Sequence, residues 1–194
     1  MTIREDSIGG FAAALAARTP TPGGGAAAAV CAALGAAAGA MAARYTTGPK
    51  WGALSAQALA LAETLDGAAR SCFDLADQDA QAFAALGAAR REQDAQVISH
   101  AEERAQAVPA ELLALCALQA SALRAFLTLG NPLLLSDVKV GIHLLAGAGR
   151  AAWQTLLVNQ PGIELQRVAA AHLTALAQAE AAALSAILPA AGER

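Results

Sequence analysis

The chain has 194 residues, of which 56% are hydrophobic, 15% charged and 4% aromatic. That apolar content excludes intrinsic disorder, and the scarcity of Val, Ile, Thr and aromatic residues argues against a β-rich fold. The formal charge is −3 and only Lys50 and Lys139 are lysines, so nothing supplies the basic stripe that nucleic-acid binding needs.

The apolar excess is mostly alanine, which favours helix and loses no rotamer entropy on folding but buries little area per side chain. The reading is all-α: one domain across residues 1–194, a multi-helix bundle of six to seven helices. Small side chains leave a thin margin at ~25 cal/mol per Å² of apolar burial, so homodimerisation is expected to complete the bundle.

Glu5 and Asp6 stand where a signal peptide would carry cations, and Cys31, Cys72 and Cys116 show no CxxC spacing. Reduced thiols in a cytoplasmic protein are expected. The uncharged stretch from Ala26 to Ala43 passes a membrane-length test. Its few large aliphatics and its Gly35/Gly39 GxxxG spacing suit a buried central helix better, and no membrane partner is expected.

In chain order, the breaks at Thr19–Gly25, Thr47–Gly52, Gly130–Pro132 and Gln160–Gly162 separate the helical patterns. Helices are expected at about Ser7–Arg18, Gly25–Thr46, Ala53–Ala89, Asp94–Leu129, Pro132–Val158 and Pro161–Leu188. Pro109 should kink or split the fourth, and Asn131-Pro132 should start the fifth as N-cap and first-turn pair.

Two carboxylates interrupt apolar stripes. Leu61, Leu65, Ala68, Cys72, Leu75, Asp79, Ala82 and Leu86 lie on one face of the third helix; Leu133, Asp137, Val140, Leu144, Gly147 and Ala151 lie on one face of the fifth. A carboxylate in such a seam either has its pKa raised, which suits general acid–base work, or is satisfied by capping a helix or pairing with an arginine such as Arg44 or Arg150. Asp66 and Arg70 are spaced for an i,i+4 pair.

Thr21, Pro22 and the glycines Gly23, Gly24 and Gly25 open the most buried helix. Their bare amides at a positive helix end could seat an anion or a flat ring, or simply permit a tight turn. A β-branched residue at Gly24 is expected to obstruct the loop. His100, His143 and His172 form no metal-ligand spacing, and no serine sits in a nucleophile elbow. No metal is expected.

PTPGGG before an alanine-rich helix, Thr46-Thr47-Gly48 near Lys50, Asp77-Gln78-Asp79-Ala80-Gln81-Ala82-Phe83, Gly130-Asn131-Pro132 and Ser136-Asp137 occur in an order that resembles the formiminotetrahydrofolate cyclodeaminase / methenyltetrahydrofolate cyclohydrolase family. The resemblance spans nearly the whole chain. It implies an all-helical homodimer and a reaction at a folate one-carbon unit, with no cofactor beyond the tetrahydrofolate-derived substrate. The family's catalytic acid falls on Asp79. Its substrate-binding positions fall on Thr21, Pro22, Gly23, Gly24, Gly25, Lys50, Asn131 and Asp137.

Three stretches depart from the family pattern. Pro49-Lys50-Trp51 replaces a run of cations, Gln154 to Val158 replaces an N-x-x-x-N, and the loop from Gly87 to Asp94 is short. The departures favour a non-catalytic helical dimer or scaffold; the intact Asp79, Asp137 and PTPGGG favour an enzyme.

Overall fold

The computed structural model describes residues 2–187. Those residues form six α-helices, α1 (Ile8–Ala16), α2 (Gly24–Arg44), α3 (Leu54–Glu92), α4 (Ala95–Phe126), α5 (Leu135–Val158) and α6 (Ile163–Ser185), and no strand. Short 3₁₀ turns at Ile3–Glu5, Pro49–Trp51 and Pro132–Leu134 punctuate them. The expected last-helix end at Leu188 lies outside the described residues.

Helices α2 to α5 make an antiparallel four-helix bundle, and α6 lies against α4 and α5. Register is pinned by contacts at both ends of α2. Ala26 meets Asp79 and Arg44 meets Asp66 across α2 and α3; Cys31 meets Leu144 and Asn131 meets Thr46 across α2 and the start of α5.

The core depends on small residues. A Cβ at Gly35 would stand 3.0 Å from the Leu144 Cβ, and one at Gly141 would stand 2.9 Å from the Gly35 carbonyl oxygen. Glycine on both helices therefore lets α2 and α5 approach until backbone meets backbone. Leucines then fill the interior from the other helices, with Leu65, Leu113, Leu123, Leu145, Leu156 and Leu176 fully buried. Helices α2 and α4 are each long and apolar enough to cross a membrane by length and composition, yet within the bundle both bury much of their surface.

Two expectations need correction. Of the kink or split expected at Pro109, the split does not occur: α4 runs unbroken from Ala95 to Phe126 with the proline inside it. A proline there frees the carbonyl four residues earlier, and Asn159 Nδ2 donates to that Ala105 oxygen at 2.7 Å. The stripe from Leu133 to Ala151 is the outer, not the inner, side of α5: Leu133 and Val140 are 54% and 50% exposed. The core side carries Val138, Ile142, Leu145 and Leu156. Both faces are apolar, so periodicity alone does not choose between them.

Asn131 caps the 3₁₀ turn that precedes α5 rather than α5 itself, accepting from Leu133 N at 3.1 Å. All three cysteines are free; Cys72 and Cys116 are buried and Cys31 is partly so.

Candidate functional site

The N-terminus of α2 begins at Gly23, a residue with no side chain to cap the helix. One of its orphan amides finds a partner from another helix: Ala26 N donates to Asp79 Oδ2 at 3.1 Å. Gly25 makes this approach possible, because a Cβ there would fall onto the Asp79 carboxylate. The glycine loop and the acid on α3 thus form one constellation. The structure assigns the structural need to Gly25, not to Gly24. Gly24 has no atom near an added Cβ and no left-handed backbone, so the expected obstruction at Gly24 has no conformational basis.

No cation lies within ion-pair distance of Asp79 among the described residues. Arg44 pairs with Asp66 and Arg150 with Glu180, so neither arginine reaches the apolar-stripe acids; Asp66 takes Arg44 instead of Arg70. Burial pushes the Asp79 carboxyl above its ordinary value of 3.8, and the bond from Ala26 only partly offsets this. The position at a helix N-terminus opposes this by favouring the anion.

Asp79 opens into a cleft of about 480 Å³ lined by Thr21, Gly23, Gly24 and Gly25 on one side and Ala82, Phe83, Leu86 and Arg90 of α3 on another. Gln154, Thr155, Val158 and Asn159 from the end of α5 close a third side. Its volume is that of a small-molecule site, and its walls are largely apolar with a few convergent polar groups. Phe83 is 58% exposed, offering an aromatic face to whatever enters.

The sequence singled out Asp79, Thr21 and the three glycines, and the structure brings them together. Pro22 follows a cis peptide beside them. Sequence reading missed Phe83, Arg90, Thr155 and Asn159, and noted Gln154 and Val158 only as departures. Spacing could have found two of these, since Phe83 and Arg90 lie four and eleven residues past Asp79 on its own helical face.

Lys50, Asn131 and Asp137 do not join this cleft within one chain. They lie at the far end of α2, about 28 Å away by helix rise. There Asn131 is 8% exposed and its side chain is fully engaged: Nδ2 donates to Tyr45 O at 3.2 Å while Oδ1 caps the turn. Its backbone N–H donates to the fully buried Thr46 hydroxyl at 2.9 Å. Lys50 stacks its ammonium over Trp51, 5.0 Å from the ring centre. Among the described residues Asp137 accepts only from its neighbour Ser136, at 3.3 Å. Among the described residues no three His, Cys, Asp or Glu side chains converge on a point that could hold a metal.

Comparison with known proteins places this geometry in context. The sequence pattern of the family described as formiminotransferase-cyclodeaminase matches residues 7–187. The crystal structure of formiminotetrahydrofolate cyclodeaminase from Thermotoga maritima superposes with a TM-score of 0.79 at 25% sequence identity, covering 95% of this chain and 93% of that one. No curated protein matches the sequence.

Proposed function

Because the chain belongs to the formiminotransferase-cyclodeaminase family, we propose that it transforms a folate one-carbon unit, with Asp79 moving the proton. The observation that carries this reading is a desolvated carboxylate with no cation partner, held against a glycine loop in an apolar cleft. In the cyclodeaminase reaction N10 attacks the formimino carbon of 5-formiminotetrahydrofolate. The N10–carbon bond forms, the bond to the terminal nitrogen breaks, and ammonia leaves with 5,10-methenyltetrahydrofolate. The formimino group enters as the protonated amidinium, so one net proton passes from N10 to the departing nitrogen and the positive charge stays on the methenyl product; Asp79 can take that proton and return it. In the cyclohydrolase reaction water attacks the methenyl carbon and the carbon–N5 bond breaks; one water proton goes to N5, carried by the same group, and the other is released to solvent. Proton transfer suffices for either, so the proposal invokes no metal or second cofactor.

The test is the absorbance of the methenyl product with purified protein. Stoichiometric ammonia release from the formimino substrate supports the cyclodeaminase form, and methenyl hydrolysis supports the cyclohydrolase form. Inertness toward both contradicts an enzyme. A second reading also rests on a specific observation: the bond from Ala26 makes Asp79 a cap for α2, as a non-catalytic helical protein would use it.

Homodimerisation remains part of the proposal. The outer side of α2 and its C-terminal cap presents Leu34, Met41 and Tyr45, 47%, 38% and 61% exposed, and the start of α5 with the turn before it presents Val140 and Leu133. A twofold axis across the middle of α2 would cover this uncharged face with its own copy. It would also bring the Lys50 and Asp137 end of one protomer toward the glycine-loop end of the other, reuniting the residues that one chain keeps apart. Sedimentation of wild type and Leu34→Glu tests it. A wild-type dimer that the charge dissociates is expected; a wild-type monomer at micromolar concentration overturns it.

A further inference from the structure

The cleft continues past Asp79 along α3 toward the end of the bundle. Asp79, Phe83, Leu86 and Arg90 line it together, and eleven residues is almost a whole number of helical turns. The two residues therefore stand on one face, their backbone positions about 16 Å apart along the axis. Among the described residues Arg90 is the single cationic one lining this cleft. Among the described residues its one acidic contact is Glu102 Oε1 at 3.4 Å, with the two side chains 62% and 47% exposed. Such a pair is weak and easily displaced. Beside it a smaller hollow of about 160 Å³, lined by Glu102, Gln106 and Gln160, widens the mouth.

We propose that Arg90 binds the glutamate carboxylate of the folate substrate, making the α3 face a linear track with the reacting carbon at one end and the anionic tail at the other. The inference rests on the folate reading above. Its basis is a match of lengths and of chemistry. From N10 through the benzoyl ring to the glutamate α-carboxylate is about 10 Å by ordinary bond lengths. A hydrogen bond of about 3 Å at each end brings the span to about 16 Å, the rise along α3 from Asp79 to Arg90. The exposed Phe83 ring stands between them, where the benzoyl group would lie and can be stacked upon. A guanidinium can grip the carboxylate through two parallel N–H bonds that Glu102, at one long contact, does not occupy.

The test compares a tetrahydrofolate substrate carrying one glutamate with the corresponding pteroate, which lacks it, on wild type, Arg90→Ala and Glu102→Gln. Both side chains are exposed, so the variants should fold. Arg90→Ala is expected to raise KM for the glutamyl substrate roughly 10–100-fold with little change in kcat. It should leave both constants for the pteroate at wild-type values. Glu102→Gln, freeing the guanidinium, should lower KM for the glutamyl substrate. Raising ionic strength should weaken wild type but not Arg90→Ala. An unchanged KM in Arg90→Ala, or an equal rise for both substrates, overturns the proposal. If wild type neither binds nor converts either compound, the folate reading itself fails.

Discussion

The two ends of α2 answer the same polar problem in opposite ways. At the C-terminal end Thr46 and Asn131 bond to each other and to neighbouring carbonyls, with both residues buried and every Asn131 group engaged. At the N-terminal end a single carboxylate serves one amide and keeps its remaining capacity facing a cleft. One end is closed by polar bonds; the other is left open around an acid that burial keeps short of solvent. A fully satisfied network rigidifies, whereas a partly buried acid with capacity to spare keeps the potential to react.

The largest expected effect is at the open end. Asp79→Asn should lower turnover by about 10²–10⁴-fold, as loss of a positioned acid–base group does. Its amide oxygen can still accept from Ala26, so the melting temperature should hold or rise. A marked loss of stability with turnover intact would make Asp79 a cap only. At the closed end the order of effects should reverse. Asn131→Ala leaves Tyr45 O and Leu133 N without their partner and should cost about 1–3 kcal/mol in denaturant unfolding. A cost near zero would mean that water replaces the side chain freely.

The adjacent glycines sharpen the contrast further. Gly25→Ala should displace the Asp79 carboxylate, destabilising by about 1–3 kcal/mol and cutting turnover. Gly24→Ala meets open space and should change stability by less than about 1 kcal/mol, in the stabilising direction. Equal effects at the two positions would refute the close approach at Gly25.

The pH dependence of stability carries the smallest expected change. Folding raises the Asp79 pKa above 3.8, so between that value and the raised one the folded state binds more protons than the unfolded. This contribution is full below 3.8 and is lost as pH rises through the raised value. The difference between wild type and Asp79→Asn across that window isolates it.

Helix positions were legible because Gly, Pro and Asn mark the breaks, and the buried face of α3 was legible because its other side is polar. The inner face of α5 was not, since leucines, valines and glycines occupy both sides and only the packing of α2 selects one. Asp79 stood out as an intruder on an apolar stripe, but its partner could not be read. A backbone amide on another helix leaves no mark in side-chain spacing. The resemblance gathered Lys50, Asn131 and Asp137 with Asp79 into one site, although antiparallel packing sets them at opposite ends of α2. That α4 continues through Pro109 was not legible, because the compensating Asn159 lies fifty residues away, beyond any local rule.

The most direct measurement is the titration of the Asp79 carboxyl by heteronuclear NMR, assigned by its disappearance in Asp79→Asn. The account predicts a midpoint above 3.8, because desolvation outweighs the single bond from Ala26. A midpoint at or below 3.8 would show a carboxylate settled as an anion at the end of α2, and would contradict its role as the proton carrier.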